Sequence, residues 1–225
     1  MLEAIHLPGA DLLFDPRWLP GPAADKLFKN LRDPVQAGID WEVHRLKIFG
    51  REVDSPRLSR WIGDPGTSYR YSGVRFEPKS WPRALTVVRK AVNAAAGEEF
   101  NSVLANLYRD GNDTMGWHSD DEPELGIQPI IASLSLGAAR KFVLKSRGPD
   151  GDKLEVQLTH GSLLVMRGDT QKNYKHSLPR TKKVVWCGLE NDVPVKATND
   201  SFMPGVFCIA ASIERCTEAR SFTAT

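Results

Sequence analysis

The sequence predicts a mainly β chain with flanking helices, its core strands folded as a double-stranded β-helix (jelly roll). Three observations lead there. Short strand-like runs follow one another between Ser102 and Met166, Gly, Pro and Asp turns separate them, and a well-marked amphipathic helix precedes them. At 225 residues and 41% hydrophobic content, the chain has the length and composition to bury one sizeable core. No apolar run approaches about 18 residues. The start, MLEAIHLPGADLLFD, carries acids where a signal peptide carries basic residues. An intracellular, soluble monomer without a membrane partner is therefore expected, in the cytoplasm of a prokaryote or the nucleus of a eukaryote. The three cysteines, Cys187, Cys208 and Cys216, lack paired spacing and read as reduced thiols.

Residues 1–40 contain Pro8, Pro16, Pro20, Pro22 and Pro34 around a helical stretch near Ala23–Leu31, and read as a loop-rich lead. Trp41, Val43, Leu46 and Ile48 alternate in pieces, which predicts a strand over Ile39–Phe49 that turns at Phe49-Gly50. The Pro- and Gly-studded stretch Ser55–Gly73 reads as irregular loop and strand edge. Leu85, Val88, Val92 and Ala95 or Ala96 recur at helical spacing, so a helix spans Pro82–Ala96, stops at Gly97 and buttresses a sheet. Strands are then predicted over Ser102–Tyr108, Ile130–Leu136, Arg140–Lys145, Lys153–Leu158 and Ser162–Met166. These pieces divide one structural domain into a lead (1–40), a lid with its buttressing helix (41–97), a catalytic-size core (98–183) and an atypical tail (184–225). In the tail the strand pattern weakens, all three cysteines cluster, and Ala210–Arg220 fits a short helix as well as a coil.

A net charge of +2 conceals a division along the chain. From Arg45 to Lys90 there are 11 Lys or Arg against 4 acids, whereas from Glu98 to Glu124 there are 8 acids against Arg109. Like charges on one segment attract a polyanion, and grouped acids suit a cation. Solvated surface faces are the plain alternative.

His118-Ser119-Asp120 sets two donors at i and i+2, which in extended chain project to one face. His176, far along the chain, is the candidate third ligand. Two imidazoles and a carboxylate leave the remaining positions of an octahedral iron open for a bidentate cosubstrate and dioxygen. A lone His-x-Asp is usually a surface turn. Here Asn106-Leu107-Tyr108 upstream, Gly116-Trp117 leading in and Asp121-Glu122 continuing the acidity raise its significance. His6 and His44 read as surface residues and His160 as a turn residue.

These residues resemble the AlkB family of iron and 2-oxoglutarate-dependent nucleic acid demethylases, in particular its DNA repair members. The similarity covers roughly residues 40–183. It rests on Ile48-Phe49-Gly50-Arg51, Ser55-Pro56-Arg57, Gly63-Asp64-Pro65-Gly66, Tyr69-Arg70-Tyr71-Ser72-Gly73, Trp81-Pro82, Asn106-Leu107-Tyr108, His118-Ser119-Asp120-Asp121-Glu122, Ile131–Gly137 and His176-Ser177-Leu178-Pro179. The resemblance implies iron(II) held by His118, Asp120 and His176, and 2-oxoglutarate held with help from Asn106 and Tyr108, with dioxygen as the second cosubstrate. It implies that Tyr69 and Tyr71 cover a flipped-out base, recovering stacking energy, and that Glu122 meets the base edge. Phe49 resembles a hydrophobic finger pushed into the base stack, with Lys47 and Arg51 beside it for phosphate contacts. The implied reaction is oxidative demethylation of alkylated bases (1-methyladenine and 3-methylcytosine), in DNA rather than RNA. Salt-sensitive binding lost on charge changes among Arg51, Arg57 and Arg70 is the expected mark of a nucleic-acid partner.

The tail departs from the family. After the third ligand, family members carry a strand whose first arginine pairs with the distal carboxylate of 2-oxoglutarate; here Gly188 stands near that place, and Arg215 and Arg220 lack the family's spacing. A shifted reading frame in the source gene would produce this loss, as would a divergent tail on an impaired enzyme. Two other readings stay open: a catalytically impaired nucleic-acid-binding protein that cannot hold 2-oxoglutarate, and an iron oxygenase acting on protein or a small molecule.

Overall fold

The computed structural model describes residues 1–32, 39–48, 51–67, 69–71, 74–148, 151–182 and 206–212. In chain order its elements are β1 (Glu3–Ile5), β2 (Asp11–Asp15), α1 (Gly21–Arg32), β3 (Arg45–Ile48), β4 (Arg51–Asp54), β5 (Leu58–Gly63), β6 (Tyr69–Tyr71), β7 (Val74–Phe76) and α2 (Arg83–Ala96). They continue with β8 (Ser102–Tyr108), β9 (Met115–His118), a 3-10 turn (Pro123–Leu125), β10 (Ile131–Gly137), β11 (Arg140–Ser146), β12 (Lys153–Leu158), β13 (Ser162–Arg167), α3 (Thr170–Asn173), β14 (Tyr174–Leu178) and β15 (Val206–Ser212). A seven-stranded sheet runs in the order β1-β2-β13-β10-β15-β8-β5 and a four-stranded sheet in the order β12-β11-β14-β9. These are the two sheets of the expected jelly roll, and two small hairpins, β3-β4 and β6-β7, stand apart from them.

Register sorts the side chains of the large sheet into two faces, because paired residues share a face and neighbours alternate. Ala132, Leu134, Leu136, Val103, Ala105, Leu163 and Val165 pack with Ala24, Leu27, Phe28 and Leu31 of α1 and Leu85, Val92 and Ala96 of α2. On the other face Ile131, Leu164 and Met166 meet Phe142, Leu144, Val156, Leu158 and Tyr174, so this face is the interior between the sheets. Every residue of β10 is buried, as a strand covered on both faces must be. Helix α2 buries Leu85, Val92, Asn93 and Ala96 along one stripe. It ends at Gly97, whose φ of 73° is left-handed backbone that glycine adopts without strain, and whose N–H donates to Asn93 O at 2.8 Å.

Several expectations need correction. The lead contains β1 and β2, which extend the large sheet by pairing with each other and with β13; Leu-Leu-Phe at 12–14 was too short a run to stand out among the prolines. The stretch read as irregular loop and strand edge is more regular than that: it supplies β5, which is the far edge of the same sheet. In the tail, Val206–Ser212 is a strand inserted between β8 and β10; of the stretch expected as helix or coil, residues 210–212 belong to it and 213–220 lie outside the described residues. Phe49 lies outside the described residues, as do Cys187, Gly188, Cys216, Arg215 and Arg220.

Candidate metal centre and its surroundings

The interior face of the small sheet carries the expected ligand set. His176 on β14 pairs with Leu144 of β11 on one side and with His118 of β9 on the other, so both imidazoles project where Leu144 does, into the interior. Between His176/His118 and Leu178/Met115 the ladder shifts register, β9 spending one residue more than β14. Such a bulge bends its strand and re-aims the side chain at its end. That is how His118 and Asp120, the latter just past the strand, converge on His176.

The donor atoms lie close together. His176 Nε2 is 3.0 Å from His118 Nε2, and each of the two Asp120 oxygens is 3.5 Å from one imidazole: Oδ1 from His118 Nε2, Oδ2 from His176 Nε2. Donors at these separations subtend about 90–110° at an ion about 2.1 Å from each, which suits one face of an octahedron. The tautomer of His118 fits as well. Its Nδ1 lies 2.8 Å from Gly116 O, a pure acceptor, so Nδ1 carries the proton and Nε2 presents a lone pair. Burial, followed by the charge of His118, holds His176 well below the usual histidine range, leaving it neutral as a ligand must be. Burial raises the Asp120 carboxyl, against the pull of His118 and with the help of Asp121. A divalent cation among these donors reverses that direction by its own charge. The residues present therefore fit a bound iron ion.

The ligand turn is pinned from residues the sequence reading did not single out. Ser119 turns away from its neighbours and donates to Tyr174 O at 2.7 Å, while Arg147 Nη2 donates to Ser119 Oγ and to Asp121 Oδ2, both at 2.6 Å. The Asp120 N–H donates to Gln171 Oε1 of α3 at 3.0 Å, and the Phe142 ring lies 5.1 Å from the His176 ring. No local pattern marks Arg147 or Gln171, since each works across a long stretch of chain.

Asn106 and Tyr108 lie on β8, 2% and 1% exposed. They share the interior face: Tyr108 packs with Ala138, Leu178 and Met115, the last two forming the pair that follows His176/His118 in the β14-β9 ladder. Asn106 Oδ1 accepts a 2.8 Å hydrogen bond from Arg57 Nε. Arg57 is itself buried, which removes it from the surface cations expected to face phosphate. Glu122 is partly buried at the start of the 3-10 turn, its carbonyl accepting from Leu125 N. Arg51 is exposed at the start of β4. Tyr69 and Tyr71 begin and end β6, in register with Phe76 and Val74.

Both stems of that β6-β7 hairpin are fastened to the large sheet. Gly63 N donates to Lys79 O and Lys79 N to Trp61 O, each at 3.0 Å, and Trp61 Nε1 donates to Thr67 O at 2.7 Å. Arg89 of α2 grips Asp64 with two 2.7 Å bonds and stacks 4.5 Å from the Trp81 ring centre, while Trp81 Nε1 donates to Asp64 Oδ1. The Arg89 bond, then its charge and the Trp81 bond, outweigh burial and lower the Asp64 carboxyl. One of the remaining histidines differs from expectation. His44 is half-buried rather than on the surface, with its ring pushed down chiefly by burial. His160, besides standing in a turn, accepts from Gly137 N at 2.8 Å and faces Asp25 Oδ1 at 3.1 Å. No helix among the described residues is long and apolar enough to cross a membrane.

The chain matches the family model of the 2OG-Fe(II) oxygenase superfamily over residues 11–201. It is 41% identical over 169 residues to the DNA oxidative demethylase ALKBH2 of Bos taurus, covering 72% of this chain and 60% of that protein. The same comparison with the Mus musculus protein of that name gives 38% over 188 residues, 80% of this chain and 78% of that one. To the alpha-ketoglutarate-dependent dioxygenase alkB homolog 3 of Bos taurus it is 41% identical over 167 residues, 70% of this chain and 56% of the relative. The chain thus spans about three-fifths of the two Bos taurus relatives' lengths.

Proposed function

This chain belongs to the 2OG-Fe(II) oxygenase superfamily, and we propose that within it the protein removes methyl groups oxidatively from alkylated bases in DNA, with 1-methyladenine and 3-methylcytosine as substrates. The observation that carries this reading is the set of converging donors of His118, Asp120 and His176 inside the jelly roll. The relatives named as DNA oxidative demethylases supply the substrate class.

Iron(II) held there, with 2-oxoglutarate and dioxygen, would supply the oxidation of an N-methyl carbon: the methyl leaves as formaldehyde, the ring nitrogen regains its lone pair, and 2-oxoglutarate is converted to succinate and carbon dioxide. The protein's own part is to position and exclude. His118, Asp120 and His176 would hold the ion. Asn106 and Tyr108, on the opposing sheet, line the cosubstrate's side of the site. Tyr69 and Tyr71, on a hairpin anchored at both stems, cover the extruded base, and Glu122 meets its edge. Arg51, exposed at the start of β4, serves for phosphate contact, and Phe49, two residues before it in sequence, acts as a wedge.

Formaldehyde release from a 3-methylcytosine oligonucleotide, with iron(II) and 2-oxoglutarate supplied and His118→Ala as control, tests the reading. Turnover in the native protein and none in the control is the expected result. Iron binding without 2-oxoglutarate binding would leave the impaired, nucleic-acid-binding protein in its place. DNA affinity should fall steeply with salt, since neutralised phosphates release counterions.

A further inference from the structure

Extended chain sends successive side chains to opposite sides, so residues 118–122 divide into two sets. His118 and Asp120 converge on His176. Glu122, extended at φ −63° and ψ 143°, keeps the parity of that inner set, and its Oε2 is shielded from water. Ser119 and Asp121 form the outer set, and both meet one atom: Arg147 Nη2 donates to Ser119 Oγ and to Asp121 Oδ2, each at 2.6 Å. Ser119 spends its own hydrogen on Tyr174 O, so toward Arg147 it accepts, and a carboxylate only accepts. The two hydrogens of a single guanidinium nitrogen thus hold both outer members of the turn.

Arg147 can do this because its own backbone is fixed. It follows β11, whose Ser146 pairs with Tyr174 of β14, and its N–H donates to Asn173 O at 2.8 Å. From there the side chain reaches past the start of β14 to the end of β9, the next strand in the small sheet. An ion pair at this exposure, Arg147 at 38% and Asp121 at 50%, contributes little to stability. The other bond differs, because Ser119 is only 7% exposed and stands between two of the candidate ligands.

We propose that Arg147 is a specificity-determining positioning residue: by holding Ser119 and Asp121 outward, it keeps Asp120 toward the ion and Glu122 toward the edge of the base. The inference rests on the demethylase reading above and deepens it. A carboxylate at that edge accepts from the exocyclic amine of 3-methylcytosine, which is also a cation, and opposes the carbonyl oxygen that neutral 3-methylthymine carries at the same place. One charge-assisted hydrogen bond separates two such bases by about 10–100-fold in affinity. That separation depends on where Glu122 points, and through the turn on Arg147.

The test is fluorescence anisotropy, under anaerobic conditions and so without turnover, on the full chain loaded with manganese(II) and 2-oxoglutarate. The labelled oligonucleotides differ in one base: 3-methylcytosine, 3-methylthymine or cytosine. The native protein should prefer 3-methylcytosine to 3-methylthymine by about 10-fold or more. In Arg147→Met that preference should fall close to 1, and Arg147→Lys, which keeps the charge and its donors, should recover part of it. Asp121→Ala should reduce the preference too, and the double variant should be no worse than Arg147→Met alone, since both changes break one connection. A cation that merely touches phosphate would weaken all three oligonucleotides alike and leave the preference at its native value. That outcome in Arg147→Met overturns the assignment of Arg147 and leaves the demethylase reading standing; should the variant fail to fold by circular dichroism, Asp121→Ala decides in its place. A native protein that binds the three oligonucleotides equally overturns the demethylase reading and the inference with it.

Discussion

At the scale of single residues, the middle member of His118-Ser119-Asp120 acts as the pin. Its hydroxyl donates to Tyr174 O and accepts from Arg147, so the ligands on either side inherit their positions from a bond that touches no metal. Ser119→Ala leaves a buried carbonyl and a guanidinium nitrogen without that partner, and groups orienting metal ligands typically cost about 10–100-fold in metal affinity when lost. We expect manganese(II) affinity by calorimetry to fall at least about 10-fold with the three ligands unaltered; an unchanged affinity would mean that the turn holds itself. The candidate ligands were legible in the sequence because His-x-Asp with acids around it is a local pattern. Ser119, Arg147 and Gln171 were not, because their partners lie 26 to 55 residues away. The bulge that aims His118 leaves no composition signal at all.

Elements were legible where periodicity was regular and invisible where strands were short. Helix α2 and the strands β8 and β10–β13 stand within a residue or so of their predicted bounds, since each has several repeats of one period. Strands β1, β2 and β5 are short and lie among prolines (Pro8, Pro16, Pro56 and Pro65), and their place is decided by neighbours in the sheet rather than by local pattern. The neighbours also set the cost of change. Leu144 is fully buried, opposite His176 in the β11-β14 ladder, so Leu144→Ala should lower stability by about 2–5 kcal/mol in urea unfolding. The Asp64 clamp between the lid stems and α2 carries a pH signature. Its carboxyl is depressed in the folded state, so the folded protein keeps the charge more firmly than the unfolded chain does. Its stabilisation is then fully present above about pH 4, the unfolded value, and is lost as pH falls through the lower folded value. Asp64→Asn removes this term. The stability gap between the native protein and the variant should therefore be constant from pH 7 to about 5 and close progressively at lower pH. Because Asp64 is 40% exposed, the gap should be no more than about 1 kcal/mol.

For the whole molecule the decisive element is the least family-like one. Strand β15 comes from the tail, yet it lies between β10 and β8 and pairs along its full length, Val206–Ser212, with both. Without it the large sheet divides into a β1-β2-β13-β10 half carrying most of the helix-facing core and a β8-β5 half carrying Asn106, Tyr108 and Arg57. Each half would then expose an apolar strand edge, the kind that pairs with other chains. Sequence pattern leaves Ala210–Arg220 as helix or coil because Val-Phe-Cys-Ile-Ala-Ala-Ser does not alternate polar with apolar residues. The expected consequence is that a chain ending at Lys183 fails to fold as the full chain does, even though it keeps His118, Asp120 and His176. Its thermal unfolding should lose cooperativity and its sedimentation should show aggregates. A truncated protein that unfolds cooperatively as a monomer would mean that β8 and β10 close on each other, and that the tail contributes nothing to the sheet holding the site.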